Sequence, residues 1–175
     1  MRRDEPVPAA GRPSERAASA RAAPLVPHDH ADCVREALAR AALLCEERGV
    51  RLTPIRRNVL ALVWESHRAI KAYDILERLG RAGGRAKPPT VYRALDFLMA
   101  QGLVHRVDSL NAFVGCSNAD NRHVAQFFIC DACGVVRESD EAVIERAVQA
   151  GAKRAGFKIA RQMIEVHGEC GQCRA

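Results

Sequence analysis

No stretch of this chain approaches the roughly 18 consecutive apolar residues of a membrane span, so no membrane partner is expected. The N-terminal arginines are followed by no apolar core, so no secretory signal is read there. An even cysteine count is also missing. Seven thiols in a leaderless chain of 175 residues argue against a disulfide framework and for reduced cysteines that bind metal or react. Nothing resembling His-Glu-x-x-His occurs, so neither zinc-enzyme catalysis nor a small-molecule substrate is expected. A cytosolic metalloprotein is what these absences leave.

What is present is unevenly spread. Residues 1–49 carry eight Lys/Arg and eight Asp/Glu, residues 50–107 carry eleven and four, and residues 108–175 carry eight and nine. The basic surplus therefore lies in one middle segment, as in a nucleic-acid-binding module; a merely solvated basic surface is the alternative.

Residues 1–30, rich in Ala, Arg and Pro without a periodic apolar pattern, read as a disordered tail. His28 and His30 within it are weak evidence for metal. Asp32 is the expected N-cap of an amphipathic helix that ends at Gly49, with Val34, Leu38, Ala41, Ala42 and Cys45 on its apolar face. A second helix is expected behind Thr53 and Pro54, with Ile55, Val59, Leu62 and Val63 inward. A third, "KAYDILERLG", stops at Gly80. After the loop "RAGGRAKPP" a fourth is expected with Thr90 as cap, Val91, Leu95, Leu98 and Met99 on one face, and Gly102 at its end. The period then changes to two short strands around Asp108-Ser109-Leu110-Asn111, a hairpin.

Helices followed by a hairpin match a winged helix, whose last helix enters the major groove. From residue 124 the order is strand, strand, helix (capped by Asp140) and a strand over 157–168, a small α/β unit that needs a metal or a second copy to be stable. The expected fold class is α+β: a tail over 1–30, an N-terminal winged helix-turn-helix DNA-binding domain over 31–108, and a small C-terminal α/β domain over 109–175.

Cys130-Asp131-Ala132-Cys133 finds its complement in Cys170-Gly171-Gln172-Cys173. Two Cys-x2-Cys pairs are the pattern of a four-thiolate zinc site, each tight turn filling two corners of a tetrahedron. A redox dithiol is the alternative. Four thiolates leave no open position, so such a site would be structural. His105, Cys116, His123 and Glu138 form a second candidate set of imidazole, thiolate and carboxylate donors that suits zinc, although spacing alone does not join them. Cys33 and Cys45, twelve positions apart on one helix, point about 120° apart, which argues against a joint site.

The segments "RLTPIRRNVL", "AYDILERL", "KPPTVYRALDFLMAQGLVHRV", "FICDACGVV" and "IEVHGECGQC" resemble the ferric uptake regulator family, and within it the zinc-uptake branch. The resemblance covers about residues 36–173. It implies a bacterial, cytoplasmic, homodimeric winged-helix repressor of zinc-uptake genes, with a C-terminal dimerisation domain, double-stranded palindromic operator DNA as partner and two Zn2+ per chain. Matched position by position, it implies Cys130, Cys133, Cys170 and Cys173 as structural zinc ligands and His105, Cys116, His123 and Glu138 as the regulatory zinc site. It further implies "TVYRAL" as the recognition helix, with Arg93 reading a base and Tyr92 beside it, and Tyr73 as a DNA contact. With these, Thr90 is grouped as a DNA-binding residue, and Arg56, Arg57, Lys71 and Lys87 are expected on phosphates.

Two departures stand out: the loop between Cys116 and His123 is one residue shorter than the branch implies, and the histidine-rich run of iron-sensing members is missing before the first cysteine pair. An iron- or peroxide-sensing regulator of the same family is the alternative. His167 sits where some relatives hold an additional metal; a strand-end histidine bonded to backbone is the simpler expectation.

Overall fold

A computed structural model describes residues 30–81, 87–121 and 123–174. The tail expected over 1–30 lies outside them except for His30, as do residues 82–86 of the expected loop.

Helix α1 spans His30–Glu47, α2 Pro54–Trp64, α3 Ala72–Arg81 and α4 Pro88–Ala100. The ends of α1 and α4 share one device. Gly49 (φ 63°) and Gly102 (φ 67°) adopt the left-handed conformation that glycine takes without a Cβ clash. Behind them the amides of Val50 and Leu103 reach back to the carbonyls of Cys45 and Leu98, closing each helix with a Schellman turn.

The starts differ from expectation. Asp32 is not the cap of α1 but lies inside its first turn, where its carboxylate faces the positive helix end and pairs with Arg35. Thr53 is the N-cap residue of α2, yet its side chain makes no capping bond. Thr90 does not cap α4. Pro88 and Pro89 open that helix, because their preset φ and missing N–H suit a first turn, and Lys87 becomes the cap. Gly80 does not stop α3, which runs on through Arg81.

Strands β1 (Val104–Val107) and β2 (Ala112–Gly115) pair antiparallel, with Asn111 at φ 47° in the turn. Ile70 adds an antiparallel bridge to Phe113 on the outer side of β2. Three helices followed by this hairpin form the winged helix expected from the sequence. Its core holds Val59, Leu60, Val63, Ile75, Val91, Leu95, Leu98 and Val104, all nearly solvent-free.

A second sheet has the order β4-β3-β5, with β3 (Gln126–Cys130) antiparallel to β4 (Val136–Ser139) and parallel to β5 (Ile164–Gly168). The last strand is shorter than the expected 157–168. Its register begins at Ile164 opposite Gln126, the first residue of β3, so nothing earlier has a strand to pair with. Between β4 and β5 lies α5, Ala142–Arg154, capped at Glu141 rather than Asp140. The Asp140 carboxylate instead accepts from the Asn118 side chain at 2.7 Å.

The two halves are joined through the wing. Val107 and Val114 leave the helical core and pack with Phe127, Ile129 and Val136 of the second sheet. Strand β5 also holds the wing turn: the Glu165 carboxylate accepts the amides of Asp108 and Ser109 at 2.7 and 3.0 Å. Those bonds hold its carboxyl below the usual range, against the opposing effect of burial. At the far end of β2, Gly115 lies against Trp64 so closely that a Cβ would stand 2.2 Å from the indole.

Candidate metal centres and nucleic-acid interface

The four-cysteine set assembles from two turns. Cys130 ends β3, and the chain reverses over 131–133 before Gly134, whose φ of 73° allows its amide to bond back to the Cys130 carbonyl. Cys170 opens the matching turn after β5. Because β3 and β5 are parallel neighbours paired through Cys130 and Gly168, both turns emerge at the same sheet end. The sulfurs of Cys130, Cys133, Cys170 and Cys173 lie within 4.8 Å of one another, and none is in a disulfide. Cys133 and Cys170 are 3.8 Å apart, which matches the roughly 3.8 Å edge of a tetrahedron with metal–sulfur bonds of about 2.3 Å. The Cys170 amide donates to the Cys130 sulfur. This bond and those from the Cys133 side lower the Cys130 thiol to about 6, whereas Cys173, sharing protons with its neighbours, is pushed up to about 12. Ligating an ion of +2 charge would require all four sulfurs as thiolates, so binding would release protons.

The mixed set also converges. His105 comes from β1, Cys116 from just beyond β2, His123 from the loop before β3, and Glu138 from β4. Glu138 Oε1 is 2.8 Å from His105 Nε2 and 2.7 Å from His123 Nε2, and the Cys116 sulfur is 3.8 Å from both His123 Nε2 and Glu138 Oε1. The second carboxylate oxygen is occupied by the amide and hydroxyl of Ser117, at 2.6 and 2.7 Å. The His123 Nδ1 faces the Asn121 carbonyl at 2.9 Å, which fixes the ring so that Nε2 points inward.

The four groups strongly shift one another's ionisation. Burial opposes ionisation of His105, but the neighbouring Cys116 and Glu138 raise it to about 9. Contacts with Cys116 and then Glu138 take His123 to about 11. Glu138 is held well below the usual carboxylate range by the two imidazoles despite its burial, and Cys116 is likewise lowered. Although His105 Nε2 is buried and close to Glu138, it is misaligned for any hydrogen bond. A buried imidazole nitrogen without a hydrogen-bond partner, facing a carboxylate, a thiol and a second imidazole, is a donor set that fits a divalent ion of zinc character.

Of the residues expected on DNA, Tyr73 and Tyr92 are the two tyrosines of the chain and both are exposed, at 74% and 54%. Thr90 and Arg93 on α4, and Arg57, Lys71 and Lys87, are also exposed. Arg56 differs: its guanidinium lies 3.4 Å over the Phe97 ring and donates to the Arg51 carbonyl. Strand-end His167 bonds side chains rather than backbone, with Nδ1 2.8 Å from Asp131 and Nε2 3.1 Å from Ser109.

One group escaped the sequence reading. His30, Cys33 and His67 bring their ligand atoms within 4.8 Å of one another. His30 and Cys33 are three residues apart on α1, a spacing that puts them on one face, but nothing in the sequence links them to His67.

The sequence pattern of the ferric uptake regulator family matches residues 47–167. The chain belongs to the ferric uptake regulator family. Among family members, the zinc uptake regulation protein of Escherichia coli K12 is 46% identical over 140 residues, covering 79% of this chain and 82% of that protein. That of Mycobacterium tuberculosis H37Rv is 29% identical over 129 residues, covering 73% and 97%. Two solved structures of the family superpose well. A zinc uptake regulator complexed with zinc and DNA gives a TM-score of 0.76 at 46% identity, covering 81% of this chain and 95% of that one. Holo XcZur gives 0.71 at 42% identity, covering 82% and 97%.

Proposed function

We propose that this protein is a cytoplasmic zinc-responsive transcriptional repressor that, as a zinc-loaded homodimer, binds palindromic operator DNA and turns down zinc-uptake genes. One observation carries the reading: the four mixed donors come from both sides of the junction between winged helix and C-terminal sheet. His105 belongs to the wing strand β1, Cys116 lies just beyond β2 at the junction, and His123 and Glu138 belong to the loop before β3 and to β4. Zinc there supplies positive charge that lets all four donors be ligands at once. The chain's part is to translate that closure into a fixed angle between its halves.

That angle matters because two recognition helices in a dimer must match successive major grooves, roughly 34–36 Å apart. Shifting the competent arrangement from 1:99 to 99:1 takes about 5.5 kcal/mol of preferential binding, within the range that zinc–ligand bonding provides. The four-cysteine centre, closed by its own donors, holds β3 and β5 together and does not respond. Neither set offers the open position that zinc catalysis needs, so the proposed role is regulatory rather than enzymatic.

The second copy follows from the C-terminal surface. Helix α5 buries none of its residues, and Phe128, Val166, Val143 and Phe157 are exposed large apolar side chains of that half. On the DNA side, Arg93 reads a base edge, Tyr92, Thr90 and Tyr73 lie beside it, and Arg57, Lys71 and Lys87 meet phosphate. Arg56, held over Phe97, positions α2 against α4. The proposed domains are the tail over 1–30, the DNA-binding half over 31–108 and the dimerisation half over 109–175.

The test is operator affinity at controlled free metal. Zinc should restore binding to chelator-treated dimer, and Cys116→Ser should abolish that response while keeping the four-cysteine ion. Restoration by ferrous iron and not by zinc would favour the iron-sensing alternative.

A further inference from the structure

The geometry points to a third metal site, for a divalent ion of zinc character, formed by His30, Cys33 and His67. It lies outside both centres described above and does not depend on either. Their ligand atoms lie within 4.8 Å of one another, all three residues are half-buried, and the two imidazole rings meet edge-on with centroids 4.8 Å apart. Two imidazoles and a thiol are borderline-soft donors that select zinc over magnesium or calcium. Three protein donors leave one tetrahedral position for water, so this ion would exchange more readily than the one held by four cysteines.

The surroundings favour a built site over a chance meeting. Both α1 donors sit in the first turn, three residues apart. His67 lies on the connector between α2 and α3, and its backbone is anchored: its carbonyl accepts the Val136 amide at 2.9 Å, and Arg68 beside it bridges Val135. The third donor is therefore held by β4, the strand that also carries Glu138. Cys33 and His67 line the same cavity of about 930 Å³ as Cys116 and Glu138. An ion at the new site would pin the start of α1 to the connector.

Full-length protein equilibrated by dialysis at a fixed micromolar free zinc should hold three ions per chain. Cys116→Ser should hold two, and Cys33→Ser/Cys116→Ser one. Cobalt(II) added to Cys116→Ser protein, with the four-cysteine centre still zinc-filled, should give a thiolate-to-cobalt charge-transfer band that Cys33→Ser/Cys116→Ser lacks. His67→Gln leaves α1 untouched and keeps the backbone bond to Val136, so in the Cys116→Ser background it must remove the same ion. The same number of ions with and without Cys33 in the Cys116→Ser background, or an unchanged cobalt spectrum without Cys33, overturns the site. Retention of the ion by His67→Gln also overturns it. Loss of operator response in Cys116→Ser bears only on the regulatory reading.

Discussion

His105 Nε2 and Glu138 Oε1 stand 2.8 Å apart, one on the wing and the other on the central sheet's edge strand. The contact crosses the junction of the molecule's two halves, and it is a contact of charge without hydrogen-bond alignment. Any ion that both residues ligate must hold that junction at one angle.

Ser117 holds the outer oxygen of the Glu138 carboxylate. Ser117→Ala removes the hydroxyl that donates to Oε2 and keeps the amide. Loss of such an orienting partner typically weakens metal binding by about 10–100-fold, and with one donor retained the low end is expected. A chelator-competition titration of the exchangeable zinc reads it; unchanged affinity would mean that the carboxylate is oriented by the amide alone.

Zinc binding at the mixed site should release protons. With His105 raised to about 9 and His123 to about 11 in the metal-free protein, both carry a proton at pH 7 that ligation must expel. Glu138, lowered, contributes none. Affinity therefore rises with pH between 6 and 8, by about two decades per unit from the histidines. Calorimetry in buffers of different ionisation enthalpy should report at least two protons per exchangeable ion, with any proton on the Cys116 thiol adding to them; a value near zero would contradict the charged histidine pair.

Gly115→Ala places a Cβ 2.2 Å from the Trp64 ring. Neither the strand nor the indole can yield without repacking, so a loss of about 1–3 kcal/mol is expected. Trp64 is the single tryptophan, so urea unfolding followed by its fluorescence gives both the stability and a direct sign of ring displacement.

Arg93 and Lys71 should fail differently. Arg93→Ala should cost about 1–3 kcal/mol on a cognate site and flatten preference at one base position. Lys71→Ala should weaken all sequences alike and reduce the salt slope by about one. Anisotropy titrations at several salt concentrations distinguish them; unchanged cognate binding by Arg93→Ala would remove α4 from the base-reading role.

Phe128 and Val166 are register partners on β3 and β5, and both are exposed. Phe128→Glu/Val166→Glu should leave the four-cysteine ion bound but shift the protein to monomer in sedimentation velocity. A dimer that survives would place the second copy on another surface.

Much of this was legible locally. Prolines at helix starts, glycines at helix ends and the paired Cys-x2-Cys turns act within four or five residues, so spacing alone conveys them. Caps were less legible, because Asp32 and Asp140 found other partners: Arg35 within the first turn and Asn118 across the junction. Arg56 is expected on a phosphate from the sequence, and the structure stacks it on Phe97 of another helix. His67 gave no signal at all, since its neighbours His30 and Cys33 meet it only once α1 has packed on α2.

Helices, wing, cysteine turns and family could all be read before folding, because each is written in short-range periodicity or a compact motif. The convergence of His105, Cys116, His123 and Glu138, and the grip of β5 on the wing turn, emerge only when the chain packs. Those meetings depend on strand register and on the packing of Val107 and Val114 into the second core, interactions between residues far apart in the chain that no local pattern encodes.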